Sequence, residues 1–315
     1  MKILVTGGAG YVGTTLIPSL LLNGFDTTVF DSLMYKGDVL LPFFRDPKFH
    51  FIKGDVRDAR QVEDACKDKD VVIHLAAVVG LPACREHPEL AEATNYGGTV
   101  NVSKACSKEQ FILFGSTGSN YGEIKDALVN GTICTEETPL NPLSTYGTTK
   151  TRAEKFLLEN NTNCTAFRFA TAFGLSPRMR TDLLINDFTF QAVRSKFAVV
   201  YEASFQRTFI HVYDMARSFL FAIENHDRMV SNAFNVGSEK MNLSKREVCD
   251  IIAIKTGAQF HFAEVGSDGD KRNYIVSFKK IKNLGYDTTI TVEEGVDELV
   301  KGLQVLKVSN HYSNV

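Results

Sequence analysis

Tyr146 and Lys150 stand four residues apart in Tyr146-Gly147-Thr148-Thr149-Lys150. On a helix that spacing puts both on one face, about one turn apart. A phenol with its ordinary pKa of about 10 is a poor base at neutral pH. An ammonium beside it favours the phenolate and pulls the pKa toward the working range. Such a pair can take the proton of a hydroxyl while a hydride leaves the same carbon. A hydride acceptor is then required, and the N-terminus offers a place for one. Ile3-Leu4-Val5-Thr6 runs straight into Gly7-Gly8-Ala9-Gly10-Tyr11-Val12-Gly13, with the spacing Gly7-x-x-Gly10-x-x-Gly13. Glycines there permit a tight turn, a close approach of backbone to a pyrophosphate, and close helix–strand packing. The phosphates would sit on the free N–H groups and positive dipole end of the first helix. Asp31 follows about 20 residues later, where a carboxylate binds adenosine ribose hydroxyls and repels a 2′-phosphate. Lys36 is the nearest base after it. NAD is therefore expected rather than NADP, and no metal.

These residues need a parallel sheet to position them. The first half alternates β-branched runs with helical patterns. Strands are expected at Lys2–Thr6, Thr27–Asp31, Phe49–Lys53, Val71–Leu75, Phe111–Ser116 and Ala166–Ala170. Several are unbroken apolar runs, which suits strands covered on both faces. Helices are expected near Gly10–Leu22, Arg60–Cys66, Pro88–Cys106 and Thr145–Glu159, with Pro18 kinking the first. The fold class is α/β: a Rossmann-type doubly wound parallel sheet with a smaller C-terminal α/β substrate domain. The dinucleotide domain spans 1–174 with returning segments near 208–237, and the substrate domain spans 175–315. In the latter, Thr181 reads as the N-cap of a helix to Arg194. Strands are expected at Val199–Tyr201, Thr208–Val212 and Phe234–Val236. Helices follow at Tyr213–Asn225, Ser244–Lys255, Ser277–Asn283 and Val292–Val305. The tail Val308–Val315 reads as polar and loose.

Composition narrows the function. The 315 residues carry 35 Lys and Arg against 37 Asp and Glu, a net charge of −2. No basic field is available to hold a nucleic acid. No apolar run approaches the roughly 18 residues of a membrane span. The N-terminus lacks the pattern of a signal peptide. The six cysteines form no Cys-x-x-Cys pair. A cytoplasmic location, without a zinc site or disulfide framework, is expected.

The glycine loop and Tyr146-Gly-Thr-Thr-Lys150 together resemble the extended short-chain dehydrogenase/reductases. More narrowly they resemble the NAD-dependent nucleotide-sugar epimerase/dehydratase family. Gly54-Asp55-Val56, His74-Leu75-Ala76-Ala77, Asn95, Ser116-Thr117, Tyr121-Gly122 and Arg207-Thr208-Phe209-Ile210-His211-Val212 strengthen the likeness. Ser176-Pro177-Arg178-Met179-Arg180-Thr181-Asp182-Leu183-Leu184 and Asp270-Lys271-Arg272-Asn273-Tyr274 resemble the C4 dehydrogenases of capsular GDP-heptose biosynthesis. The resemblance implies roles. Tyr146 and Lys150 are catalytic, with Thr117 orienting the reacting oxygen and Ser116 the runner-up. Gly7, Gly10, Tyr11, Val12, Gly13, Asp31, Leu33, Asp55, Val56, Leu75, Ala76, Ala77, Asn95, Ser116, Tyr146 and Lys150 hold the cofactor. Thr117, Arg178, Arg180, Asn186, Arg207 and Arg272 bind substrate, the arginines by guanidinium–phosphate pairing. Thr171 stands where the wider family commonly has asparagine. His74, in an apolar strand, reads as a packed core histidine. The helices matching Pro88–Cys106 and Thr145–Glu159 imply a homodimer or a dimer of dimers, with Ala91, Val100, Val102, Phe156 and Leu157 as apolar surface.

Gly118 and Ser119 stand where 4,6-dehydratases of the family carry an acidic pair. Neither can move a proton at neutral pH. The expected reaction is C4 oxidation of a GDP-linked heptose or similar sugar to a 4-keto sugar, with a 2-keto acid as a candidate hydride acceptor. 4-Epimerisation is the alternative. Non-catalytic dinucleotide sensors of this fold tend to lose the tyrosine or the lysine, and this chain keeps both.

Overall fold

The computed structural model describes residues 1–122, 133–266, 273–306 and 314. Seven strands form one sheet: β1 (Lys2–Thr6), β2 (Asp26–Asp31), β3 (Phe49–Lys53), β4 (Val71–His74), β5 (Phe111–Thr117), β6 (Cys164–Phe169) and β7 (Asn232–Val236). Their order is β7-β6-β5-β4-β1-β2-β3, and every neighbouring pair is parallel. Every residue of β4 and β6 is buried, so neither shows an alternating pattern. Strand order reverses between β1 and β4, which opens a crevice beyond their carboxyl ends.

Helices α1 (Gly13–Leu22), α2 (Ala59–Cys66), α3 (Gly98–Ala105), α4 (Thr145–Asn160), α5 (Leu184–Ser195), α6 (Val212–Glu224), α7 (Lys245–Thr256) and α8 (Val292–Val305) supply the layers. Alternate residues of β1 serve opposite layers. Ile3 and Val5 pack with Leu16 and Leu20 of α1 and Phe219 of α6, whereas Leu4 packs with Val62 of α2 and Val102 of α3. Each such fully buried side chain contributes about 1.5–3 kcal/mol. Aromatic rings fill the space under α6: Phe167, Phe169 and Phe219 lie with centroids 5.2–5.6 Å apart.

After Gly174 the chain builds a second core. Ile185 of α5, Val248 and Ile252 of α7, and Val296, Leu299 and Leu303 of α8 are buried together. α7 and α8 both begin with a capping box, Ser244 with Glu247 and Thr291 with Glu294. Residues 171–173, 206–211 and 242–244 form a three-stranded sheet beside the crevice. α6 and β7 return to the main sheet, so the two parts are interwoven.

Several local expectations are corrected. α1 starts at Gly13, because Gly10–Val12 remain in the loop. α5 starts at Leu184, and Thr181 is not its cap; Arg180 engages Asp182 within that turn, which leaves 181–183 non-helical. The helix expected at Pro88–Cys106 is interrupted by one wide π turn, Glu92–Gly97. Ala91, Val102 and Leu157 are at most 1 % exposed, so they belong to the core and not to an apolar surface. Among the described residues no helix is long and apolar enough to cross a membrane.

Candidate active site

The carboxyl ends of β1 to β6 and the Thr171–Phe173 strand surround one cavity of about 430 Å³. Its floor is the glycine loop. Gly7 has φ +72°, and a Cβ there would lie 2.6 Å from the Ala76 nitrogen. A Cβ on Gly13 would lie 2.5 Å from the Gly8 carbonyl oxygen. Both positions therefore require glycine. Val12 caps α1 without a side-chain hydrogen bond, and no acidic residue stands in its first turn. Among the described residues, the N–H groups of Tyr11 and Val12 meet no acceptor. Orphan donors at a helix N-terminus suit an anion.

Asp31 lies across the loop. Its carboxylate accepts from the backbone N–H of Ala9 (3.0 Å) and of Leu33 (2.8 Å). Burial pushes its carboxyl pKa up, against those two bonds and the field of Arg178. Asp55, after β3, is held below its usual value by the Arg57 side chain bonded to it. Asp55, Val56, Leu75, Ala76 and Ala77 complete this half of the wall. The residues thus fit a dinucleotide: a cradle that a Cβ would fill, unpartnered backbone donors for phosphate, and a ribose-reading carboxylate.

The reacting half is built on α4. Ser144 accepts from the Gly147 N–H and caps the helix (3.1 Å), which sets Tyr146 and Lys150 at the cavity wall. Lys150 is 2 % exposed, and its ammonium lies 3.9 Å from the Phe114 ring centroid. Burial brings its pKa down to about 7, against the opposing field of Glu154. Glu154, one turn further along, is clamped by Arg168 (2.7 Å) and accepts the Ser116 hydroxyl (2.5 Å). The Ser116 hydroxyl also accepts from Asn120 (3.1 Å). Among the described residues Thr117 has only local bonds, both 3.1 Å, with the N–H and hydroxyl of Ser119. Of the two hydroxyls, Thr117 is the better placed to meet a substrate oxygen. Gly118 is closely packed: a Cβ would sit 3.2 Å from the Phe169 carbonyl oxygen, and Tyr274 donates to the Gly118 carbonyl (2.7 Å).

Gly7, Gly10, Tyr11, Val12, Gly13, Arg178, Arg180, Arg207 and Thr171 line the same cavity. Leu33, Asn95 and Asn186 do not. Leu33 supplies a backbone N–H to Asp31. Asn95 pairs with both backbone groups of Val78 and with Thr149, fixing the loop after β4. Asn186 is fully buried and ties Gly174, Arg180 and Tyr11 together. Arg272 lies outside the described residues. His74 is bonded to Thr6 (2.7 Å) and Thr99 (3.0 Å), and burial brings its pKa down to about 3, so it is a neutral core residue. Sequence reasoning missed Glu154, Arg168, Tyr35 and Asn314. Glu154 was within reach as the next member of the four-residue spacing Tyr146, Lys150, Glu154; Tyr35 and Asn314 carry no local signal.

Fold and site define a dinucleotide-dependent oxidoreductase with a tyrosine–lysine pair. The chain belongs to the NAD dependent epimerase/dehydratase family, whose sequence profile matches residues 3–237. It is an extended short-chain dehydrogenase/reductase, and its cofactor is NAD. The low-salt glycan biosynthesis protein Agl12 of Haloferax volcanii is 30% identical over 312 residues, 95% of this chain and 97% of that protein. The CDP-paratose 2-epimerase of Salmonella typhi is 27% identical, over 95% of this chain and 98% of that protein. Among solved structures, the UDP-glucose 4-epimerase of Thermus thermophilus in complex with NAD superposes with a TM-score of 0.83 at 23% identity, covering 97% of this chain and 99% of that one.

Proposed function

We propose that this enzyme oxidises C4 of a nucleotide-linked sugar and carries out neither dehydration nor decarboxylation. One observation carries the reading. Among the described residues lining the cavity, the only carboxylates are Asp31 and Asp55, both at the adenosine end. Beside Thr117 stand Gly118 and Ser119, which supply no second acid or base. NAD, when bound, supplies the hydride acceptor. Tyr146 takes the hydroxyl proton, the Lys150 ammonium favours its phenolate, and Thr117 holds the reacting oxygen. Arg180 and Arg207 stand at the substrate end for the nucleotide diphosphate.

We infer net oxidation of a GDP-linked heptose or a similar GDP-sugar to a 4-keto sugar. Support is the likeness of Ser176–Leu184 to the heptose dehydrogenases. A 2-keto acid is the candidate oxidant that regenerates NAD. The second reading is 4-epimerisation, favoured by relatives such as the putative UDP-glucose 4-epimerase of Methanocaldococcus jannaschii, 27% identical over 96% of this chain. Substrate deuterated at C4 tests both. Deuterium moving to the nicotinamide supports C4 oxidation. Its return to C4 with inverted configuration marks an epimerase, and a 4-keto product marks a dehydrogenase. A 4-keto-6-deoxy sugar or released carbon dioxide would overturn the proposal.

A further inference from the structure

Arginines of the cavity wall differ in their partners. Arg57 is paired with Asp55, Arg168 with Glu154 and Arg180 with Asp182. Arg178 is as buried as Arg168 and Arg180, at 2 % exposure, yet among the described residues no carboxylate lies within salt-bridge distance of it. Its guanidinium donates to two neutral oxygens, the Met179 carbonyl (3.2 Å) and the Asn314 side chain (2.7 Å). Its Nε is buried without a partner. Burial and the Arg180 charge press its pKa below the ordinary guanidinium value, so the surrounding carboxylates leave the charge under-compensated. A buried cation of this kind is retained where an anion completes it.

Position decides which anion. The Arg178 guanidinium stacks 4.1 Å from the ring centroid of Tyr35, four residues beyond Asp31. Asp31 and Arg178 act on each other electrostatically. The Arg178 N–H donates to the Thr14 hydroxyl of α1 (3.4 Å), and Ser176 bonds that hydroxyl (2.9 Å) and the Tyr11 carbonyl of the glycine loop (2.7 Å). Arg178 therefore flanks the glycine loop and the ribose carboxylate, at the phosphate-bearing part of the dinucleotide site. Asn314 bridges from there to the other wall, donating to the Val79 carbonyl in the loop after β4 (3.1 Å).

We propose that Arg178 and Asn314 form a clasp across the diphosphate of NAD, which keeps the dinucleotide bound from one substrate to the next. Arg178 neutralises the phosphates, and Asn314 locks Arg178 to the opposite wall. Release of the dinucleotide then requires the Arg178–Asn314–Val79 bridge to open. The proposal rests on the dinucleotide site alone and not on the reaction at C4.

The test needs no turnover. Full-length protein is loaded with NADH, and its release into excess NAD is followed by fluorescence. Arg178→Ala should speed release about 10–100-fold, the worth of a charge-assisted hydrogen bond. Asn314→Ala removes no charge and should speed it roughly 3–10-fold. Affinity for UDP and for GDP, the probes of the substrate half, should stay within about twofold of the parent by calorimetry. Arg178→Lys keeps the charge without the fork and should fall between parent and Arg178→Ala; together with Asn314→Ala it carries the test if Arg178→Ala does not fold. Unchanged NADH release in these variants overturns the clasp. So does a fall in UDP or GDP affinity that equals or exceeds the change in NADH release, which would give Arg178 to the substrate.

Discussion

Glu154 follows Lys150 by one helical turn, yet its carboxylate pairs with Arg168 at 2.7 Å. The two side chains are 1 % and 7 % exposed. Arg168 thereby offsets an anion that would otherwise hold Lys150 more firmly in its charged form. Removing the guanidinium alone leaves a buried, unpaired carboxylate. Arg168→Met should therefore cost about 3–5 kcal/mol in urea unfolding. Adding Glu154→Gln should restore a large part of that loss, because the uncompensated charge is gone. Additive losses in the double variant would show that the pair is not coupled.

The buried lysine makes stability depend on pH in a direction opposite to that of a paired lysine. Unfolded, it titrates near 10.5; folded, at about 7. Between those values the unfolded chain binds the extra proton, so this site's contribution to stability rises with pH. The penalty is fully present below about 7 and is gone above 10.5. Lys150→Met should melt higher than the parent at about pH 6, with the gap closing toward about pH 10. A gap that does not vary with pH would contradict the burial of a charge at this position.

Tyr146→Phe removes the proposed base and leaves the glycine loop and Asp31 in place. Turnover should fall by about 10²–10⁴-fold. NADH should still bind, because the glycine loop and Asp31 are untouched. Loss of NADH binding with turnover per bound cofactor intact would reverse the assignment.

Asp31 already accepts two backbone N–H groups, so its carboxylate is fixed in place before a ribose arrives. NADH should bind at least about tenfold more tightly than NADPH, which is on the order of 1.4 kcal/mol. Asp31→Ser should narrow the difference. Equal affinities in the parent protein would remove Asp31 from the ribose.

The sheet was legible because its strands are short apolar runs with helices between them. Elements set by pairing were not. Residues 171–173 and 242–244 are strands only because Gln206–His211 lies between them. Thr181 has the local signature of a helix start, but the Arg180–Asp182 pair spans it and the helix begins at Leu184. Tyr146, Lys150, Thr117 and the glycine loop could be picked out by type and spacing. Which face of the cavity Arg178 serves could not, because its neighbours Tyr35 and Asn314 are remote in sequence. Asn95 and Asn186 were assigned to ligands, but their amides are consumed by backbone groups that only the fold brings near.

The dimer inferred from the family likeness has a narrower apolar face than the sequence suggested. Val100 and Phe156 remain partly exposed, with Phe156 against Tyr96 at 6.1 Å between centroids. We expect a two-fold dimer through α3 and α4 by light scattering at micromolar concentration, and Phe156→Glu should shift it toward monomer. A monomeric parent would refute this.

The crowding at Gly118 also bears on how this scaffold can change its chemistry. A Cβ there would crowd the Phe169 carbonyl at 3.2 Å and touch the hydroxyl of Tyr274 at 3.6 Å. An acidic residue at 118 would need its neighbours to move by a few tenths of an ångström. The Phe169 carbonyl of β6 is the group that has to yield. An acid introduced at 118 thus has to come with a small accommodating shift of its neighbours before it can serve a second proton transfer. Directed evolution that samples one change at a time should find new sugars for this cavity more readily than it finds a new reaction.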